Sequence, residues 1–109
     1  MRMRRILSLL LVCLVVAVTT ASAAVSSYSV AASVTVVTLL DRVGTRQGAT
    51  IHNDGTAILY INLGFNASTT NFTARLTSQG YYEVPFGYQG PITGIWDAAN
   101  GSARITDIY

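Results

Sequence analysis

The run from Arg46 to Gly64 (Arg-Gln-Gly-Ala-Thr-Ile-His-Asn-Asp-Gly-Thr-Ala-Ile-Leu-Tyr-Ile-Asn-Leu-Gly) narrows the fold more than any other stretch of this chain. Ala49 and Ile51 share one face of a first run, and Leu59, Ile61 and Leu63 share one face of a second. Apolar residues at every second position suit a strand, whose side chains alternate between faces, and do not suit a helix. Between the two runs, Asn53-Asp54-Gly55 supplies residues that tolerate positive φ and predicts a hairpin turn. Ile51, Leu59, Ile61 and Leu63 are then expected in a core. That leaves Arg46, Tyr60 and Asn62 free to meet a partner.

The same grammar continues on both sides. No segment carries apolar residues at helical spacing together with capping signals. In Val30 to Leu40, Val34 and Val36 share one parity while Val37 and Leu39 take the other, which predicts a bulge or a strand buried on both faces. Phe72, Ala74 and Leu76 are expected to point inward from one strand. Gln79-Gly80 predicts a turn into Tyr81 to Val84, a strand that Pro85 ends because it lacks a ladder donor. An aromatic loop, Phe86 to Pro91, leads to a strand containing Trp96. Asn100-Gly101 is the strongest short hairpin signal, and Ser102 to Tyr109 closes the chain. The expected class is all-β, an antiparallel β-sandwich or barrel of about six to eight short strands.

An apolar segment precedes this domain. Arg2, Arg4 and Arg5 come before the apolar run Ile6 to Val18, and Ala21-Ser22-Ala23 places small residues where a signal peptidase reads. Residues 1–23 therefore read as a leader, either a signal peptide or a membrane anchor, and 24–109 as one β-sandwich domain. The apolar core is short against the roughly 17 to 25 residues of a membrane span. A membrane enters only through residues 1–23, if they are uncleaved; cleavage would place the protein outside the cell or on its surface. All seven basic residues are arginines, and three sit in the leader. The rest carries Arg42, Arg46, Arg75 and Arg104 against Asp41, Asp54, Glu83, Asp97 and Asp107, a balance of minus one. No Lys/Arg cluster remains to contact phosphates, so nucleic acid is not an expected partner. Cys13, the only cysteine, lies in the leader. A small domain without disulfides must be held by its core or by neighbours.

Catalytic chemistry finds no foothold. His52 is the only histidine, with no metal-binding partners near it in sequence. The carboxylates are scattered, and neither a nucleophile elbow nor a glycine-rich phosphate loop is present. No catalytic, cofactor-binding or metal-binding residue is expected, and no cofactor. Tyr81, Tyr82, Phe86, Tyr88 and Trp96 crowd into sixteen positions. Tyr82 and Trp96 are expected in the core, and Tyr88, between Gly87 and Gly90, is the one expected at the surface. Aromatic clusters bind protein partners or sugar rings, so carbohydrate is the lesser candidate ligand. Asn66, Asn71 and Asn100 each begin an Asn-x-Ser/Thr pattern.

Arg46-Gln-Gly-Ala-Thr-Ile, Asn53-Asp54-Gly55, Leu59-Tyr60-Ile61, Gly80-Tyr81-Tyr82-Glu83-Val84-Pro85, Gly94-Ile95-Trp96 and Asn100-Gly101-Ser102-Ala103-Arg104-Ile105-Thr106 together resemble small β-sandwich virion structural proteins of tailed bacteriophages and prophages. The resemblance spans Arg46 to Thr106 and consists of turn and core residues, not ligands. It implies a non-enzymatic head decoration, head fibre or tail component in the virion. Such a protein would be a homo-oligomer docked on a larger lattice. The alternative expectation is an exported cell-surface or filament-forming protein in which Val25 to Leu40 completes a neighbour's sheet. Val34, Val36, Arg46, Tyr60, Phe86 and Tyr88 are the candidate partner contacts.

Overall fold

Eight strands and no helix make up residues 23–109, the part of the chain that the computed structural model describes. The expected leader, 1–23, lies outside the described residues except for Ala23. The strands are β1 (Val25–Ala31), β2 (Val37–Leu40), β3 (Gly48–Asp54), β4 (Leu59–Leu63), β5 (Ala74–Leu76), β6 (Tyr81–Val84), β7 (Ile92–Trp96) and β8 (Ser102–Ile108). They form two four-stranded antiparallel sheets, β1-β8-β3-β6 and β2-β7-β4-β5. Of the two expected architectures the chain adopts the sandwich.

The pairing has a simple logic. β1 pairs with β8, β2 with β7, β3 with β6 and β4 with β5, as along one long hairpin whose apex is the β4–β5 loop. Rolling that hairpin adds the β3–β8 and β4–β7 contacts and closes two sheets over one core. This is the strand order of an eight-stranded jelly roll. Between the sheets lie Leu39, Leu40, Ile51, Leu59, Ile61, Ile92, Trp96 and Ile105, all fully buried. The alternation in β3 and β4 put Ile51, Leu59 and Ile61 there as expected, while Leu63 is only half-buried.

Rolling changes what the turns do. Asn53-Asp54-Gly55 and Asn100-Gly101 were both expected to close hairpins, yet each carries the chain from one sheet to the other. The two crossings pack backbone to backbone. A Cβ on Gly55 would lie 2.8 Å from the Gly101 Cα, and one on Gly101, at φ +85, would lie 2.5 Å from the Asp54 carbonyl oxygen. Glycine is required there for close approach as much as for turning. The Asn100 Oδ1 accepts hydrogen bonds from Thr56 Oγ1 and from the Ala57 amide, both at 3.0 Å, and locks the crossing.

Asn53 is not turn surface at all. It is a fully buried residue of β3. Its Nδ2 donates to the carbonyls of Ala57, Leu76 and Thr77 at 2.8, 3.0 and 3.1 Å, and its Oδ1 accepts from Trp96 Nε1 at 3.3 Å. One side chain thus ties β3, β5, β7 and the β3–β4 crossing together. A buried amide with every polar atom matched adds specificity to the packing of the two sheets.

Two further expectations are corrected. Val30 to Leu40 is not one strand: β1 ends at Ala31, Ser33 to Val36 cross between sheets, and β2 begins at Val37. The register shift falls deeper than the parity switch, between Thr38 and Leu40, where it lets consecutive Leu39 and Leu40 both enter the core. Phe72 does not join Ala74 and Leu76 inside. The Thr73 Oγ1 accepts from the Leu63 amide, at 3.0 Å, and the ladder ends. Phe72 turns outward, 38% exposed, and meets the Tyr60 ring edge-on at 5.1 Å between centroids.

Candidate functional site

The roll gathers the loops into two groups. Residues 41–47, 64 and 85–91 meet at one end, through hydrogen bonds from the Val43 amide to Gln89, from Gly64 to Pro91 and from Gly87 to Gln47. Residues 32–36, 55–58, 77–80 and 97–101 meet at the other, through Trp96 to Ser33, Asp97 to Ile58 and Gln79 to Asn53. The six candidate contacts do not converge. Val34 and Val36, 56% and 45% exposed, stand in the β1–β2 crossing at the second end. Tyr60 lies half-buried on the outer face of β4 beneath Phe72. Arg46, Phe86 and Tyr88 belong to the first end.

Arg46 is not free to meet a partner. It is 1% exposed, although its neighbours Thr45 and Gln47 are exposed. Its Nε lies 2.8 Å from Asp107 Oδ1 on β8, and its Nη1 donates to the Gly90 carbonyl at 2.8 Å. Nη2 donates to the Asp41 carbonyl, with Asp107 Oδ2 at 3.5 Å. The planar fork of donors joins three segments at once, which a lysine ammonium does not reproduce. A buried charge needs a paired charge and full hydrogen bonding, and Arg46 has both. Its role is to clamp the loop end of the fold.

Tyr88 is likewise not the exposed ring that its glycine neighbours suggested. Its hydroxyl donates to the Pro91 carbonyl at 2.8 Å, and its ring packs on the core. The ring covers Gly90, where an added Cβ would lie 2.6 Å from the hydroxyl oxygen. What the loop presents instead is Phe86, 89% exposed. The backbone beneath it is fixed by the Gly87 and Tyr88 amides bonding to Gln47 and Pro85, and by Arg46 holding Gly90.

Phe65 was missed. It is 70% exposed in the β4–β5 loop, next to Gly64, whose φ is +106 and whose amide is held by Pro91. Its own carbonyl accepts from Asn62 Nδ2 at 2.8 Å, so Asn62 is spent within the fold. An aromatic directly after Gly64 at the start of a polar loop was the available signal. Of the Asn-x-Ser/Thr asparagines, Asn66 and Asn71 are exposed in this loop, whereas Asn100 is exposed but has its Oδ1 engaged by Thr56 and Ala57.

The charged outer face of the β1-containing sheet is a surface network. Arg104 Nε meets Asp54 Oδ2 at 2.6 Å, Gln79 Nε2 reaches Asp54 Oδ1 at 3.5 Å, and His52 Nε2 lies 3.0 Å from Gln79 Oε1. The hydrogen bond from Arg104, then that from Gln79, holds the Asp54 carboxyl below its ordinary range. On the inner side, burial and the nearby Asp107 raise the Tyr28 hydroxyl, which donates to the Leu39 carbonyl at 2.7 Å.

Compared with known proteins, the chain matches no family model, no curated protein and no solved structure.

Proposed function

We propose that this chain is a non-enzymatic structural protein of a bacteriophage particle, joined to a larger capsid or tail lattice through the end that carries Phe86. Jelly rolls serve as viral capsid domains, and also as lectins and cupins, so the strand order is compatible with the role without selecting it. The observation that carries the reading is Phe86 itself: a large apolar side chain, 89% exposed, on a loop whose backbone is held from beneath. An anchor on a pre-ordered loop loses little conformational freedom on docking, and aromatic residues concentrate at protein interfaces. The carbohydrate reading leaned on Tyr88, whose ring and hydroxyl are turned into the fold. In the exported alternative, residues 25–40 would serve a neighbour's sheet. Donating the whole segment would withdraw Leu39 and Leu40 from the core.

Phe86→Ser tests the docking role. The exposed side chain leaves the fold's stability within about 0.5 kcal/mol of the original. Incorporation into gradient-purified particles, read by quantitative mass spectrometry, should fall roughly tenfold or more if the anchor contributes at least about 1.4 kcal/mol. Equal incorporation of the variant would overturn docking through this end. Recovery of the original protein only from the secreted fraction would overturn the particle role.

A further inference from the structure

We infer that β1 is a self-pairing edge, and that two copies of this chain join their β1 strands antiparallel about an axis at Tyr28. Among the described residues the sandwich has four edges: β1 and β6 in one sheet, β2 and β5 in the other. Three carry devices that discourage strand addition. β2 has a register shift and is followed by Asp41 and Arg42, β5 is three residues long and includes Arg75, and β6 carries Glu83 and runs into Pro85. β1 has none. It is seven residues long, Val-Ser-Ser-Tyr-Ser-Val-Ala, with neither proline nor charge, and its pairing with β8 is unbroken. No charged residue occurs from Ala23 to Leu40, so like copies meet there without repulsion.

The hydrogen-bond pattern says which register is available. Ala24 and Tyr109 exchange both of their backbone bonds, and the Ala32 amide donates to Gly101. By antiparallel alternation the even residues of β1 bond to β8. The amides and carbonyls of Val25, Ser27, Ser29 and Ala31 then face the open edge. A second β1 matches those groups when Ser27 lies opposite Ser29 and Val25 opposite Ala31, each pair exchanging two bonds. That register keeps every side chain on the face it already occupies, because paired residues share parity. It also puts Tyr28 opposite its own copy, in the closely spaced non-hydrogen-bonded position favoured by aromatic pairs. The Tyr28 hydroxyl is already tied to Leu39, so the ring is held in place. Outward side chains at the edge are small except for Val25, 64% exposed. The product is one continuous sheet across two sandwiches. It does not depend on Phe86, so its failure and that of the docking role are separable.

The test uses the full chain with Cys13→Ser, so that an added cysteine is the only thiol. Tyr28→Cys should form a disulfide-linked dimer on mild oxidation, since directly opposed Cα atoms at about 4.5 Å fall within disulfide reach. Val25→Cys should remain monomeric, because its copy lies opposite Ala31. In the original background, Ser27→Pro removes the edge-facing amide, at the cost within the protomer of one exposed 3.4 Å hydroxyl contact to Thr106, and should weaken dimerisation in sedimentation velocity roughly tenfold. A monomeric original protein, equal cross-linking of the two cysteine variants, or capture of a different protein by Tyr28→Cys would each overturn the inference.

Discussion

Arg46→Ala is expected to destabilise the domain by about 3–5 kcal/mol, the usual consequence of stripping one partner from a buried ion pair. The loss is not that of a surface contact. Asp107 would remain 5% exposed with its counter-charge gone, and the carbonyls of Gly90 and Asp41 would lose their donor. A domain of this size has a total stability of only about 5–15 kcal/mol, so the variant should be partly unfolded or sharply less resistant to urea. Arg46→Lys should recover only a fraction, because a point charge does not span the three acceptors that the guanidinium fork reaches. The double variant Arg46→Met with Asp107→Leu should recover more than Arg46→Ala, since no lone charge stays buried. Equilibrium urea unfolding checks all three. A loss below about 1 kcal/mol for Arg46→Ala, the size of an exposed pair, would mean that the arginine is not buried as described.

Asn53→Ala should cost about 3 kcal/mol, from buried polar groups left without partners at roughly 1–3 kcal/mol each. The affected groups are the carbonyls of Ala57 and Leu76 and the indole nitrogen of Trp96, while the Thr77 carbonyl keeps the Gly80 amide. The isosteric Asn53→Asp separates hydrogen bonding from packing. It keeps the shape but turns a carboxylate oxygen toward the carbonyls, so it should be at least as damaging as alanine at neutral pH. If Asn53→Asp were tolerated while Asn53→Ala was not, packing volume would be the cause.

These two residues also mark where the sequence stops being legible. The alternation of Ala49 and Ile51, and of Leu59 and Ile61, is a local property of strands, and it carried through to the core. Asn53 and Asn100 lie in short Asn/Gly segments that serve equally well for a hairpin and for an inter-sheet crossing. Which one forms depends on the pairing of β3 with β8, whose partners, such as Ile51 and Ile105, lie far apart in sequence. No local signal encodes that choice. Arg46 misled for a related reason. Arginines are mostly exposed, and this one sits in a polar loop. Its partner Asp107 is brought to it only when the chain rolls up. In a charge-poor chain, an arginine next to a strand and an aspartate within the final strand were the available hint. Phe86, a candidate contact, is the exposed aromatic of its loop, between proline and glycine where no long-range partner is needed to keep it out. Tyr88, two positions on, was expected at the surface and is not there, because its burial depends on a hydrogen bond to Pro91 and on the core beneath.

The proposed role rests on the two ends of the sandwich being different: one is architecture, the other is contact. Photo-cross-linking inside assembled particles reads that difference directly, with a photoreactive residue at position 86 in one protein and at position 34 in another. Both positions are exposed, at 89% and 56%, and they stand at opposite ends of the sandwich. The expected result is cross-links from position 86 to a second particle protein and, from position 34, none to any protein other than a second copy of this chain. Cross-links from position 34 alone, or none from either in particles that contain the chain, would contradict it.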